Sequence, residues 1–290
     1  MHNNFTWIDI NRPNRADVQT LINEFHIAPY IGDELLDATP KAKIDIHDHQ
    51  VFFVLHFPSK DGDNTEVDFI LGTNFLVTVH YGAITALERF QKEFEMHCSL
   101  EEEHHPTSSG SVFHAMISTL YQSLNDELDT THGRLHTVEK NIFEENGQSM
   151  VRILSELSRD LLDIEQTIEG HDIILSELSR ATEDRFGISL KRIKHEFHTI
   201  YRRVKNQREV LAEVRTTNDS LLAAEQNQVG QVLTILAFST LPATLIAGIF
   251  GMNVKFEYLA HHPHGFWIIF ALMTVVSSTT LAYFAYKRWI

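Results

Sequence analysis

Two stretches near the C-terminus, residues 229–250 and 265–286, contain no Lys, Arg, Asp or Glu over 22 residues each. As helices rising 1.5 Å per residue they would each reach about 33 Å, the thickness of a bilayer's hydrocarbon core. Core helices of soluble proteins seldom run so far without charge, so two in succession point to a membrane. Pro242 removes one backbone donor from the first and should bend it, which membrane spans tolerate. Lys287 and Arg288 directly follow the second, and the positive-inside rule places that end in the cytoplasm. Two crossings then return residues 1–228 to the same side. Trp267 and Trp289 bracket the second span at the heights of interfacial aromatics.

Charge divides the chain in the same way. The whole carries 24 Lys plus Arg against 39 Asp plus Glu, a formal net charge of −15. From residue 229 onward the only charged residues are Lys255, Glu257, Lys287 and Arg288, so the tail is +2 and the preceding part −17. So acidic a part would repel a phosphate backbone, which argues against a nucleic-acid partner. Cys98 is the single cysteine, which excludes an internal disulfide or a Cys-x-x-Cys site. Residues 1–9 lack a basic region followed by an apolar run, so neither a signal peptide nor a transit peptide is expected there. The expected location is the cell (inner) membrane of a prokaryote, with both termini cytoplasmic.

The expected fold class is an α+β cytoplasmic domain followed by long α-helices and two C-terminal transmembrane helices. The segments are a cytoplasmic α/β domain over 1–105, a helical hairpin and stalk over 106–228, a first span over 229–250, an extracytoplasmic loop over 251–264, a second span over 265–286 and a cytoplasmic tail over 287–290. Alternation predicts strands in 5–10, 44–56, 66–71 and 75–80, the last two joined as a hairpin through Gly72-Thr73-Asn74. Short helices are predicted at 18–25, 33–37 and 83–97. The run from His104 to Gly110 breaks the pattern.

Beyond Val112 the period becomes helical. Leu154, Leu157, Leu161, Ile164, Ile168, His171, Leu175 and Leu178 alternate three and four apart, the seam of a coiled coil or long hairpin. Ser-Glu-Leu-Ser-Arg at 155–159 returns at 176–180, three heptads on, so it would repeat on one helical face. Ile193, Phe197, Ile200, Val204, Gln207, Leu211, Val214, Asn218 and Leu221 form a second seam running straight into the first span. No proline or glycine lies between Ser189 and Gly230, which predicts one helix of roughly sixty residues. Gln207 and Asn218 are seam polar residues of the kind that fix register or oligomer number. Residues 139–177 are rich in Asp and Glu, and residues 191–208 in Lys and Arg. Two solvated faces explain this, as does an acidic hairpin lying against a basic stalk.

Two helices cannot enclose a pore alone, and a 14-residue gap is too short for an external domain. That leaves a membrane anchor or an oligomer that shares a pore. Asn227, Gly230, Leu233, Ala237, Leu241, Thr244 and Gly248 fall three or four apart on one face, which suits a pore lining and helix packing equally.

The end of the first span, Ala247-Gly248-Ile249-Phe250-Gly251-Met252-Asn253, resembles the Gly-Met-Asn signature of the CorA family of divalent-cation transporters. The likeness extends back through Pro242-Ala243-Thr244-Leu245-Ile246 to Asn227, forward to Tyr286-Lys287-Arg288-Trp289, and to the strands at 51–57 and 68–80. It implies a homopentamer with a cytoplasmic funnel and a stalk helix continuing into a pore-lining span. Gly251, Met252 and Asn253 would form the pore mouth, with Asn253 as a selectivity ring contacting a hydrated ion. Asn227, Leu233, Thr244 and Gly248 would line the path below. Neutral oxygens select Mg²⁺, which dehydrates reluctantly, without trapping it, while Leu233 and Leu241 supply an apolar constriction.

Two departures bear on the cargo and its regulation. After the motif the chain reads Val254-Lys255-Phe256-Glu257, without the Met-Pro-Glu-Leu of many magnesium-transporting members; Glu257 can still attract cations. His261, His262 and His264 occupy the same loop, where imidazole suits Zn²⁺, Co²⁺ or Ni²⁺ and keeps zinc transport of the ZntB type open. The family's regulatory stalk carboxylate has no counterpart at Leu190-Lys191-Arg192, which leaves Asp61 and Asp63 as candidates on the other side. His47 and His49 would share a strand face and could bind metal. Glu101-Glu102-Glu103-His104-His105 reads as a solvated linker.

No phosphate-binding loop, nucleophile elbow or zincin motif occurs, so no enzyme and no resident cofactor is expected. The expected function is influx of Mg²⁺, with Co²⁺ or Ni²⁺ as further cargo. The alternatives are zinc movement and a membrane-anchored structural or sensory coiled coil.

Overall fold

The computed structural model describes residues 5–47, 49–58, 65–100, 108–143, 147–182, 190–252 and 264–287. They form two compact units, Met1–Arg215 and Thr216–Ile290.

Unit one is built on a five-stranded sheet of β1 (Thr6–Asn11), β2 (Ile44–Ile46), β3 (Gln50–Phe57), β4 (Thr65–Gly72) and β5 (Phe75–His80) in the order β1-β5-β4-β3-β2. Only β1 and β5 run parallel. The predicted hairpin is β4–β5, with Leu71 opposite Leu76. Gly72 lets the ring of Phe75 lie over it, since a Cβ there would stand 2.2 Å from that ring and force it to move. The predicted strand over 44–56 is two strands, and His47 and His49 lie in the turn between them, where the His47 amide donates to the Gln50 carbonyl at 2.9 Å. The pair does not share a strand face, because the polar run reverses the chain.

Every residue of β4 is buried, so helices must cover both faces. On one side Phe52, Val54, Ile70, Val77 and Val79 pack with Val18 and Leu21 of α1 (Arg15–Phe25) and Ile31 of α2 (Pro29–Glu34). Asn14 caps α1 by accepting from the Ala16 and Asp17 amides, and Asp17 accepts from Asn14 in return. Pro29 sets α2 four residues ahead of its predicted start, since proline's fixed φ suits the first helical position. On the other side Trp7 meets Phe90 and Phe94 of α3 (Thr85–Leu100), at 5.3 and 5.2 Å between rings. Phe53 and Phe69 stack at 5.1 Å, and Phe113 of α4 (Ser109–Asn141) stands edge-on to both.

The seam predicted to run unbroken from Leu154 to Leu178 is divided between α5 (Gly147–Ile168) and α6 (His171–Thr182). The two Ser-Glu-Leu-Ser-Arg copies therefore lie on different helices. Gly170 makes the corner, where a Cβ would stand 2.6 Å from that of Ala42. The seam residues stay buried on either side of it.

The long helix is present as predicted: α7 runs 62 residues from Leu190 to Gly251 and continues through Pro242. Its seam is buried from Ile193 through Asn218. The acidic hairpin does lie against the basic stalk within unit one. Lys205 and Arg208 both donate to Glu165, and Arg203 donates to Asp129 and, at 2.7 Å, to the Asn125 amide oxygen. Burial would raise the Glu165 pKa, but the hydrogen bonds from Lys205 and Arg208 outweigh it and hold the carboxyl below its ordinary range. Unit two consists of the remainder of α7 and of α8 (Gly265–Tyr286).

Candidate functional site

Helices α7 and α8 are long and apolar enough to cross a bilayer, and of their most apolar stretches 11% and 0% is buried within the chain. A soluble core helix of this composition would be covered, so this surface belongs against lipid or other protein.

Within unit two one side of α7 is covered: Ile235 and Ser239 are buried, and Pro242, Ala243, Ile246 and Phe250 are half-buried. On α8 the matching residues are Met273, Val276, Ser277, Thr280 and Phe284, with Phe238 and Phe284 at 6.3 Å between rings. At 100° per residue, the stripe Gly230, Leu233, Ala237, Leu241, Thr244 and Gly248 lies on the opposite side of α7, and every member is exposed. Asn227, one turn earlier and offset toward one side, is exposed too. A Cβ at Gly230, Gly248 or Gly251 would meet no atom within 4 Å. The small residues of the stripe therefore do not pack α7 against α8 of the same chain.

The hydroxyls of this span share one arrangement. Thr234 donates to Gly230, Ser239 to Ile235, Thr240 to Leu236 and Thr244 to Thr240, at 2.6–2.9 Å. Each proton is committed to the helix's own backbone. Thr244 alone of the four lies on the exposed stripe, and its oxygen presents only lone pairs outward. Water bound to a cation points its hydrogens away from the ion, so this acceptor suits a hydrated cation.

Gly251 ends α7, and exposed Met252 follows, its amide donating to the Ile249 carbonyl at 3.4 Å. Asn253, Glu257, His261 and His262 lie outside the described residues, as do Asp61, Asp63, Glu101–Glu103, His104 and His105. Seam residues Gln207 and Asn218 are buried. The Gln207 amide donates to the Leu128 carbonyl at 3.0 Å, whereas neither amide atom of Asn218 has a partner among the described residues. His47 contacts the Tyr30 hydroxyl, which donates to Asp45. Among the described residues no group of three or more His, Cys, Asp or Glu is arranged to hold a metal.

Periodicity placed His171 on the seam, but its hydrogen bonds, and the burial of Glu66 and Asp68, make two polar centres of unit one that sequence reasoning did not identify. His171 is fully buried: its Nε2–H donates to the His56 carbonyl at 2.8 Å, and its Nδ1 accepts from the Tyr121 hydroxyl at 3.0 Å. Burial lowers its pKa to about 4, so the ring is neutral. Glu66 and Asp68 are the second centre. The available signal was a pair of carboxylates inside an otherwise apolar strand, where charge is seldom buried without reason.

The family model for the "CorA-like Mg2+ transporter protein" matches residues 2–288. The cobalt/magnesium transport protein CorA of Thermotoga maritima is 23% identical over 298 residues, covering 98% of this chain and 83% of that protein. The complete structure of the CorA magnesium transporter from Methanocaldococcus jannaschii superposes with a TM-score of 0.84 at 21% identity, over 99% of this chain and 92% of that one. The ZntB cytoplasmic domain from Vibrio parahaemolyticus shares the fold at a TM-score of 0.55 and 14% identity, over 75% of this chain and 88% of that domain.

Proposed function

This chain belongs to the CorA-like Mg²⁺ transporter family, and from that premise we propose that it passes hydrated divalent cations into the cell through a pore shared by five copies. The supporting observation is the exposed stripe of α7 on the side opposite its contact with α8. Several copies turned inward would line a path with Asn227, Gly230, Leu233, Ala237, Leu241, Thr244 and Gly248. Gly251 and Met252 stand at its outer mouth, and Asn253 supplies a ring of amide oxygens there. Glu257 concentrates cations at the entrance.

The chemistry follows from the ion. Mg²⁺ keeps its water shell, so it is recognised through neutral acceptors that contact that shell, which a carboxylate ring would bind too tightly to release. The Thr244 oxygen, its proton tied to Thr240, is one such acceptor. Leu233 and Leu241 are the bulky apolar members of the stripe and narrow the path enough to expel water when conduction stops. An inside-negative potential contributes about 2.3 kcal/mol per charge per 100 mV, so a divalent ion enters without ATP. We place the cytoplasmic domains at 1–105 and 106–228, the spans at 229–250 and 265–286, and both termini inside. Asp61 and Asp63 remain our candidates for regulatory metal.

Reconstitution in liposomes loaded with a Mg²⁺-sensitive dye tests this. The intact chain should admit Mg²⁺, and Asn253→Ala should abolish entry or selectivity while the oligomer persists. A folded oligomer without flux would point instead to a membrane-anchored coiled coil. Competition among Mg²⁺, Co²⁺, Ni²⁺ and Zn²⁺ identifies the cargo; preference for Zn²⁺ would favour the imidazole-rich loop after the motif over the amide ring as the selective element.

A further inference from the structure

The two carboxylates of β4 lie outside everything the transport reading uses. Glu66 and Asp68 are two residues apart and so share one face of the strand. They are only 4% and 1% exposed. Each has one oxygen engaged: Glu66 Oε2 accepts from the Thr39 amide at 2.5 Å, and Asp68 Oδ2 accepts from the Tyr81 hydroxyl at 2.9 Å. The other oxygens, Glu66 Oε1 and Asp68 Oδ1, are buried and accept no hydrogen bond from any other described residue. Two ionised carboxylates left this way would each keep one desolvated oxygen with no hydrogen bond to offset its cost.

Among the described residues, His56 is the one nearby group able to offset this charge. Glu34 of α2 and Asp37 beyond it add negative potential. Lys43 is engaged with Glu34 at 2.5 Å. His56 of β3 stands 3.8 Å from Glu66, with its Nε2 on the Thr39 carbonyl at 2.9 Å. Tyr81 stays protonated, because burial and the nearby Asp68 both push its pKa up. The described residues offer no cluster able to hold a metal ion.

We propose that Glu66 and Asp68 share one proton between their inward oxygens, and that this proton clamps the linker from Leu35 to Lys43 onto the sheet. Several of the linker's contacts converge on this centre, beside others such as the Lys43 carbonyl, which accepts from the Val54 amide at 2.8 Å. Glu66 holds the Thr39 amide, His56 meets the Thr39 carbonyl, and Tyr81, hydrogen-bonded to Asp68, is 3.1 Å from the Leu35 carbonyl. Ala42 of the same linker seats the Gly170 corner, beside which His171 holds the His56 carbonyl. The proton thus joins α2, the sheet and the α5–α6 corner in one network. Burial, then the hydrogen bond and charge of Glu66, raise Asp68 to about 9, and burial raises Glu66 as well. Loss of the proton in alkali leaves two like charges under the linker and releases it.

Hydrogen–deuterium exchange on the full-length protein in lipid nanodiscs tests the clamp, with rates corrected for intrinsic exchange. From about pH 7 to about pH 10, peptides covering residues 35–43 should lose about tenfold or more of their protection while those of α1 keep theirs. In Asp68→Asn the amide donates permanently to Glu66, so the loss should vanish; Glu66→Gln is the second variant. Three results would overturn the proposal: protection that is unchanged with pH in the natural protein, a loss as large in both variants, or protection at pH 7 that a chelator removes, which would put a metal ion in the proton's place. The natural protein decides the matter even if neither variant folds. Flux plays no part in the readout, so the test is independent of the transport reading.

Discussion

Unit one and unit two differ in where their polar side chains find partners. Unit one adds long-range contacts to the bonds that buried Thr131 and Thr167 make to the backbone of their own helix, and unit two has only the latter kind among the hydrogen bonds described for its spans. In unit one, side chains far apart in sequence complete one another: Tyr121 with His171, Glu165 with Lys205 and Arg208, Gln207 with Leu128. In unit two every threonine hydroxyl of the spans bonds to the backbone of its own helix, as Thr244 does to Thr240 and Thr279 to Val275. The apolar surface differs likewise, buried around the sheet in one and open in the other, where Leu233, Leu236 and Phe266 are exposed. One copy of the chain finishes the first unit. The second needs lipid and, in the proposed pore, further copies.

The strongest way to break this contrast is to empty the core of unit one. Phe113→Ala removes a ring wedged edge-on against Phe53 and Phe69 and should cost about 3–5 kcal/mol in chemical unfolding followed by Trp7 fluorescence. An equal truncation on the exposed stripe, Leu233→Ala, should leave that unfolding unchanged.

Acid sharpens the contrast next. His171 has a folded pKa of about 4 against an ordinary 6.5, so as pH falls the unfolded chain takes up the proton first. Its contribution is complete above about pH 6.5 and is lost between there and about pH 4, up to about 3 kcal/mol in total. Unfolding of unit one measured across that window should show the slope, and His171→Gln should flatten it. Residues 229–250 contain no Asp, Glu, Lys, Arg or His, so helix α7 in the membrane should not respond.

A third comparison concerns flux without stability. Thr244→Val removes the outward acceptor but retains the β-branched shape, so dye-monitored Mg²⁺ entry should fall by about tenfold, with Thr244→Ser restoring it. Thermal unfolding should barely move. The smallest effect belongs to Glu165→Gln. Its partners Lys205 and Arg208 are 47% and 40% exposed, so solvent screening limits the loss to below about 1 kcal/mol. That loss should shrink further at high salt.

Much of this was legible beforehand, for local reasons. Period-two alternation marked β1, β4 and β5, and the lack of any helix breaker before Gly230 marked α7. The corner at Glu169–Gly170 was hidden because the seam's phase runs through it uninterrupted, and only the approach of Ala42 shows why glycine stands there. His47 and His49 looked strand-like because alternation carries no information about where a hairpin turns. In the spans, spacing put Gly230, Leu233 and Thr244 on one face but could not say what that face met.

The sequence by itself determined which segments are helix, strand and span, because periodicity, charge and length are properties of consecutive residues. Only the tertiary structure decided that Glu165 meets Lys205 and Arg208, that Glu66 and Asp68 are buried together beneath Thr39, and that the stripe on α7 turns away from α8. Those facts depend on contacts between residues distant in the chain, whose energies arise only when folding brings the groups together and removes the water between them.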